Sequence, residues 1–484
     1  MPIRADAPSI SAAPGPIAAS GPRGTTGRPA AARRRLAWLV GIVLLAPLPI
    51  GAVEPWAWGG LSFAVALLLA AHAGCLIRGE RPAVSLRRMR LPLLCFALAM
   101  IWAVVQATSA APAQWHHPLW SAAGAVLGTA LPGSISANPA ETVDATIRLT
   151  TYAAVYYLAM NFCRDARNAE RALRSIALGA GAYAAYGITA YLSGTETILW
   201  VAKTSYLGDL TGTFVNRNSY ATFAGLGLVA ATALLVRDLR RACHGALPAP
   251  EQRRRAGEYL TTRGAVPAGA MLLITTSLLL SHSRAGLAST AIALLTFALL
   301  TGLSRRAAIG RTIRLLLLAA IPALCVLTMT GSGTLLRLLD AGDDAALRLR
   351  LLERALTATA DAPLLGAGLG SFPDIFQIHR TTDIRDPQQH AHNSYLESAL
   401  ELGLPAAGLL LAAAAAPALL CMRGLLRRRR DRTLPCLGLA ATMLVALHAA
   451  VDFSPQIPAV AALYALLMGI AGAQSWSSRA VTSV

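Results

Sequence analysis

Three short polar segments hold the side chains of this 484-residue chain whose types and spacing could do chemistry. GTFVNRNSYATF at 212–223 groups Asn216, Arg217 and Asn218. SHSRAGL at 281–287 sets Ser283 beside Arg284. QQHAHNSYLESALE at 388–401 places His390, His392, Asn393 and Tyr395 just ahead of an apolar run. Arginine grips an oxyanion through a fork of hydrogen bonds and suits phosphate in particular. Imidazole titrates near neutral pH, so His392 has the chemistry of a general base toward a hydroxyl.

Each of these residues also has a plainer reading. An arginine at the end of a membrane span reaches for lipid headgroups without catalytic duty, and for Arg217 and Arg284 this stands level with phosphate binding. His390 and His392 are two apart, so in a helix their side chains diverge, which disfavours a two-histidine metal site. His448 and Asp452, in HAAVDFSPQIPA, are four apart and share a helical face, as a functional pair or a packing pair. Gly366, Gly368 and Gly370 spell GxGxG after a helix rather than a strand, and read as a tight turn instead of a dinucleotide fingerprint. No DxD-type carboxylate pair accompanies the motifs, and neither metal nor cofactor is expected.

The elements that must position these residues are set by hydropathy. The chain is 55% hydrophobic and only 14% charged, against about a quarter charged in a soluble protein. Apolar runs long enough for roughly 30 Å of hydrocarbon recur along it. Spans are expected near 36–53, 57–77, 91–108, 146–163, 172–193, 219–236, 266–281, 285–303, 313–331, 404–422, 434–453 and 457–473. In lipid each must be helical, since only a helix satisfies its own backbone there. The fold class is therefore an all-α polytopic membrane protein of about twelve transmembrane helices, with a large, partly helical periplasmic loop between the ninth and tenth. The expected organisation is a disordered cytoplasmic segment (1–35), spans one to nine (36–331), the periplasmic loop domain (332–403), the last three spans (404–473) and a cytoplasmic tail (474–484). Within the loop, Thr334–Ala360 has the spacing of an amphipathic interfacial helix that GAGLGSF at 366–372 breaks.

A net charge of +19 does not signal nucleic acid, because its distribution follows topology. Assigning the N-terminal segment and every second loop to one side gives that side 33 of the 43 Lys+Arg and 8 of the 24 acidic residues. The basic stretches Arg78–Arg90, Arg237–Arg263 and Arg423–Arg432 all fall there, as the positive-inside rule requires. Both termini are thus expected in the cytoplasm, with all three motifs on the outer face. None of the seven cysteines falls in an outer loop, so no disulfide framework is indicated.

In their order, spacing and shared face, GTFVNRNSYATF, SHSRAGL, PLLGAGLGSF and HAHNSYLESALELGLPAAG resemble the O-antigen ligase and polymerase superfamily of bacterial membrane glycosyltransferases. That superfamily includes lipopolysaccharide ligases, O-antigen or exopolysaccharide polymerases and O-linking protein oligosaccharyltransferases. The resemblance implies a transfer, without metal, of a glycan from undecaprenyl pyrophosphate to an acceptor hydroxyl on a glycan, a lipid A core or a protein. It implies Arg217 and Arg284 as the essential arginines and His392 as the loop histidine. Asn216, Asn218, Ser283, Asn393, Tyr395 and Arg348 are the expected substrate contacts, with His390, His448 and Asp452 in support. Where many members carry a tryptophan shortly after the arginines matching Arg348 and Arg350, this chain has Leu351, Leu352 and Glu353. HAAVDFSPQIPA resembles an ending frequent in members of exopolysaccharide systems, which implies polysaccharide-assembly partners. Two other classes remain open: a lipid-linked glycan flippase, which needs charged groups at mid-span, and a non-catalytic scaffold, which tolerates loss of both arginines.

Overall fold

The structure is a computed structural model that describes residues 28–243, 248–302, 341–381, 384, 387–428 and 431–476. The chain begins with α1 (Arg28–Leu45), α2 (Pro55–Ile77), α3 (Arg90–Ala107), α4 (Pro118–Leu127), α5 (Pro139–Phe162) and α6 (Ala166–Leu192). A two-residue ladder follows, β1 (Thr197–Ile198) antiparallel to β2 (Val201–Ala202), pairing Thr197 with Ala202 and Ile198 with Val201. Then come α7 (Arg217–Ala242), α8 (Ala249–Thr261), α9 (Ala265–Leu280) and α10 (Arg284–Gly302). Among the described residues the remaining α-helices are α11 (Ala341–Asp361), α12 (Phe372–His379), α13 (Ser394–Leu402), α14 (Leu404–Arg427), α15 (Thr433–Ala449) and α16 (Pro458–Ala473). Pro55, Pro118, Pro139 and Pro458 open α2, α4, α5 and α16, where a missing N–H leaves no bond unmade.

Among the described residues, five helical stretches are long and apolar enough to cross a membrane: α2, Leu86–Ala107, α7, α10 and α14. The pair α8–α9, bent by 72°, makes six if it counts as one span. Apart from the ninth predicted segment, 313–331, which lies outside the described residues, each predicted segment has a helix at its position. α15 and α16 are apolar but shorter, at 17 and 16 residues. Three features depart from expectation. α1 starts at Arg28, inside the segment expected to be disordered, because its alanines and arginines are strong helix formers. α4 forms within an expected outer loop. α8 forms within the basic loop 237–263, held by Glu251 and Glu258 one turn from Arg254 and Arg255.

α7 is the central helix, buried almost throughout and packed by α6, α9, α10, α15 and α16. Small residues let the neighbours in: a Cβ on Gly227 would stand 2.4 Å from that of Ala180, and one on Gly225 would stand 2.3 Å from Thr290 Oγ1. α2, α3 and α14 lie outside and bare Phe63, Leu91, Ile101 and Leu419. Such a girdle is a liability in water and the natural surface in hydrocarbon.

A second, smaller core joins α11, α12 and α13 through Leu351, Ala355, Phe372, Phe376, Ala391 and Leu400. α11 ends at Asp361, one residue beyond the expected end at Ala360 and ahead of Pro363 and the glycines; its expected start, 334–340, lies outside the described residues. Gly366, Gly368 and Gly370 all take positive φ, as a tight turn demands. The turn is also a cap. Ala367 and Gly368 donate their amides to Leu400 and Glu401 at 3.0 and 2.9 Å, while Gln106 Nε2 and Trp102 Nε1 from α3 donate to Glu401 and Leu402 at 2.9 Å each. The orphan carbonyls of the last turn of α13 are thereby satisfied.

Candidate active site

Asn216 caps α7: its Oδ1 accepts the Asn218 amide at 2.7 Å. Arg217 is therefore the first helical residue, at the mouth of a buried helix. Its Nη1 donates to Asp209 Oδ2 at 2.6 Å, and its guanidinium stands 5.4 Å from the centre of the Tyr206 ring. The other oxygen of Asp209 accepts from His282 Nδ1 at 2.9 Å. His282 takes φ 51°, a left-handed conformation uncommon for a residue with a side chain, in the turn between α9 and α10. Ser283 then caps α10, its Oγ accepting the Gly286 amide at 3.2 Å, and Arg284 follows as an exposed first residue of that helix.

Asn218 joins the motifs. Its Oδ1 accepts from Ser283 Oγ at 2.7 Å and its Nδ2 donates to Asp452 Oδ2, with all three side chains buried. Asp452 Oδ1 accepts the Phe453 amide at 2.7 Å. His392 Nδ1 lies 3.8 Å from Asp452 Oδ2, an ion-pairing distance rather than a hydrogen bond. The ring of His392 meets that of Phe453 edge-on at 5.1 Å. A single buried relay thus runs from the turn before Arg284, through the residue after Arg217, to the carboxylate facing His392.

His448 and Asp452 do not pair along one helical face, because α15 ends at Ala449 and Asp452 lies beyond it. His448 Nδ1 instead meets Thr222 Oγ1 of α7 at 2.8 Å. His390 and His392 precede α13 and are not helical; His392 has φ 51°. His390 stacks on Phe453 with ring centres 4.2 Å apart and meets Glu397 Oε1 at 3.0 Å through Nδ1. Asn393 caps α13, its Oδ1 accepting the amides of Tyr395 and Leu396. Tyr395 donates its hydroxyl to the Ala446 carbonyl at 2.9 Å, and burial pushes its phenol up, keeping it a donor. Arg348 is exposed on α11.

Glu397 and Glu401, both buried, lie one turn apart on α13. Burial first, then the Glu397 charge, pushes the Glu401 carboxyl up to about 8. Among the described residues no group of three or more His, Cys, Asp or Glu side chains is placed to hold a metal ion. An apolar cavity of about 1960 Å³ lies between α3, α5, α14, α15 and α16, and reaches Ser394, Tyr395 and Ser398.

Residues 269–411 match the family model described as O-antigen ligase. This stretch is similar to the O-antigen ligase family, in line with the resemblance read from the motifs. None of the curated proteins matches it. The O-antigen ligase stretch takes in His282, Ser283, Arg284, Arg348, the glycine turn and the segment from His390 to Glu401. Asp209, Arg217, Asn218 and Asp452 lie outside it and are tied to it by the contacts above, while His448 and its partner Thr222 both lie outside it. Sequence reasoning passed over Asp209, Glu397 and Thr222. It quoted His282 within SHSRAGL without giving it a role. Asp209 sits in a long loop without periodicity, and only the fold brings it between Arg217 and His282.

Proposed function

We propose that this chain is a member of the O-antigen ligase superfamily and a membrane glycosyltransferase that moves a glycan from undecaprenyl pyrophosphate to an acceptor hydroxyl at the periplasmic face. The observation that supports the reading is the Ser283–Asn218–Asp452 relay, which ties the residues next to Arg284 and Arg217 to the carboxylate that faces His392. Arg217 and Arg284 hold the pyrophosphate of the donor and stabilise its charge as it leaves. His392, oriented by Asp452, takes the proton of the acceptor hydroxyl. The acceptor oxygen bonds to the anomeric carbon, and the bond from that carbon to the phosphate oxygen breaks with its electron pair on the pyrophosphate. The cavity that reaches Tyr395 and Ser398 accommodates the polyprenyl chain, and the module of α11–α13 covers the glycan and excludes water.

Purified protein in vesicles without an ion gradient is expected to convert a lipid-linked donor and an acceptor, which a gradient-driven transporter does not do. Arg217→Ala and Arg284→Ala should each cost about 2–5 kcal/mol of transition-state stabilisation, and His392→Ala about 10²–10⁴ in rate. Full transfer by folded His392→Ala protein removes the base assignment, and by the double arginine variant the whole reading. The glycans of a deletion strain then identify the acceptor: polymer retained on lipid marks a ligase, single lipid-linked repeats a polymerase.

A further inference from the structure

Asp209 is buried and joins two groups that belong to different motifs. Its Oδ2 accepts from Arg217 Nη1 at 2.6 Å and its Oδ1 from His282 Nδ1 at 2.9 Å. A buried carboxylate is costly unless its charge is matched, and here a guanidinium and an imidazole share it. The loop is held in place from behind. Lys203 Nζ donates to the Asp209 carbonyl at 2.8 Å and pairs with Glu196 at 3.2 Å, and Glu196 Oε1 accepts the Gly208 amide at 2.8 Å. The His282 side chain keeps about a third of its surface open. With Nδ1 given to Asp209, the ring orientation is set and Nε2 becomes its second site of interaction.

We propose that His282 is a further anion-binding group of the donor site, and that Asp209 is the positioning residue that holds His282 and Arg217 in one arrangement. The proposal rests on the reading of Arg217 as a pyrophosphate ligand. As an imidazolium, His282 presents Nε2–H to a phosphate oxygen; no covalent bond forms or breaks at it. The titratable and charged groups around it are Asp209 from the loop, Arg217 of α7 across that carboxylate, Lys203 behind it, Tyr191 of α6 with ring centres 6.5 Å apart, and Arg284 two residues on.

The test is binding of undecaprenyl pyrophosphate, the product without glycan, to the purified full-length protein at fixed pH and salt. His282→Gln is expected to bind roughly tenfold more weakly, as for loss of one charge-assisted hydrogen bond. His282→Lys, which keeps a cation at this position, should restore most of that loss. Asp209→Asn should weaken binding at least as much, with part restored in Asp209→Glu, while the acceptor KM stays unchanged. His282→Gln protein of wild-type thermal stability that binds like wild type overturns the proposal. So does His282→Lys protein that binds no better than His282→Gln. Wild-type protein that binds no undecaprenyl pyrophosphate, or Arg217→Ala that binds as well as wild type, overturns instead the parent reading of the site.

Discussion

Truncating Asn218 takes a donor from the Asp452 carboxylate and an acceptor from the Ser283 hydroxyl, both buried. An unsatisfied buried polar group costs about 1–3 kcal/mol, so Asn218→Ala should lower the unfolding free energy by about 2 kcal/mol. Transfer should fall further than that loss explains, because Asp452 also loses its hold beside His392; rate and melting temperature measured on one preparation separate the two effects. Glu401 supplies a prediction about pH. Its carboxyl, pushed up to about 8 by burial and then by Glu397, binds its proton more tightly folded than unfolded. Such a group contributes stability that is complete below the ordinary carboxylate range and is lost as the pH rises through its raised value. The melting temperature of wild type is therefore expected to fall between about pH 5 and about pH 9, and Glu401→Gln, which keeps an acceptor for the Phe372 amide, to flatten that fall.

At the scale of elements, the glycine turn and α13 act as a unit. A Cβ on Gly368, where φ is 104°, would stand 2.2 Å from Ser136 Oγ and 2.8 Å from the Ser136 Cα. Backbone strain and overpacking together put the cost of Gly368→Ala on the order of 3 kcal/mol. Gly408, in α14, has nothing within 4 Å of a Cβ, so Gly408→Ala should be neutral or slightly stabilising. Thermal unfolding of both in the same detergent checks the contrast. Equal effects would show that the turn does not bear on the packing of α13. Activity belongs to the same test, since α13 carries the segment that presents His390 and His392, and loosening its C-terminal cap shifts both.

The whole molecule is a buried helix, α7, wrapped by others, with polar ends of α7 and α10 meeting the segment after α15. If charge asymmetry sets the topology, both termini and the Arg423–Arg432 loop share one compartment, and Asp209, His282 and His392 face the other. A phosphatase active only outside the cytoplasm is expected to work when fused within 194–216 or 362–393 and to be silent when fused after Val484. The reverse pattern would turn the candidate site toward the cytoplasm, where polyprenyl-linked glycan transfer at the periplasmic face has no meaning.

Hydropathy alone determined the class of molecule and the positions of most helices, because a span in lipid must be a continuous apolar helix whatever its neighbours are. Residue type alone also determined the candidate side chains, since arginine and histidine keep their chemistry in any fold. The start of α1, ahead of Leu36, and the whole of α8 were not legible, as helix propensity and charge pairing favour them without an apolar run. What only tertiary structure decided is which polar residues share a charge. Asn216, Ser283 and Asn393 prove to be helix caps. Asp452 serves His392 rather than His448 along a helix, and Asp209, 73 residues from His282 in sequence, becomes its partner. Hydrogen bonds across such separations leave no periodic trace along the chain. They exist because helix packing around α7 brings the loops at its mouth together and buries their carboxylates, which must then be paired.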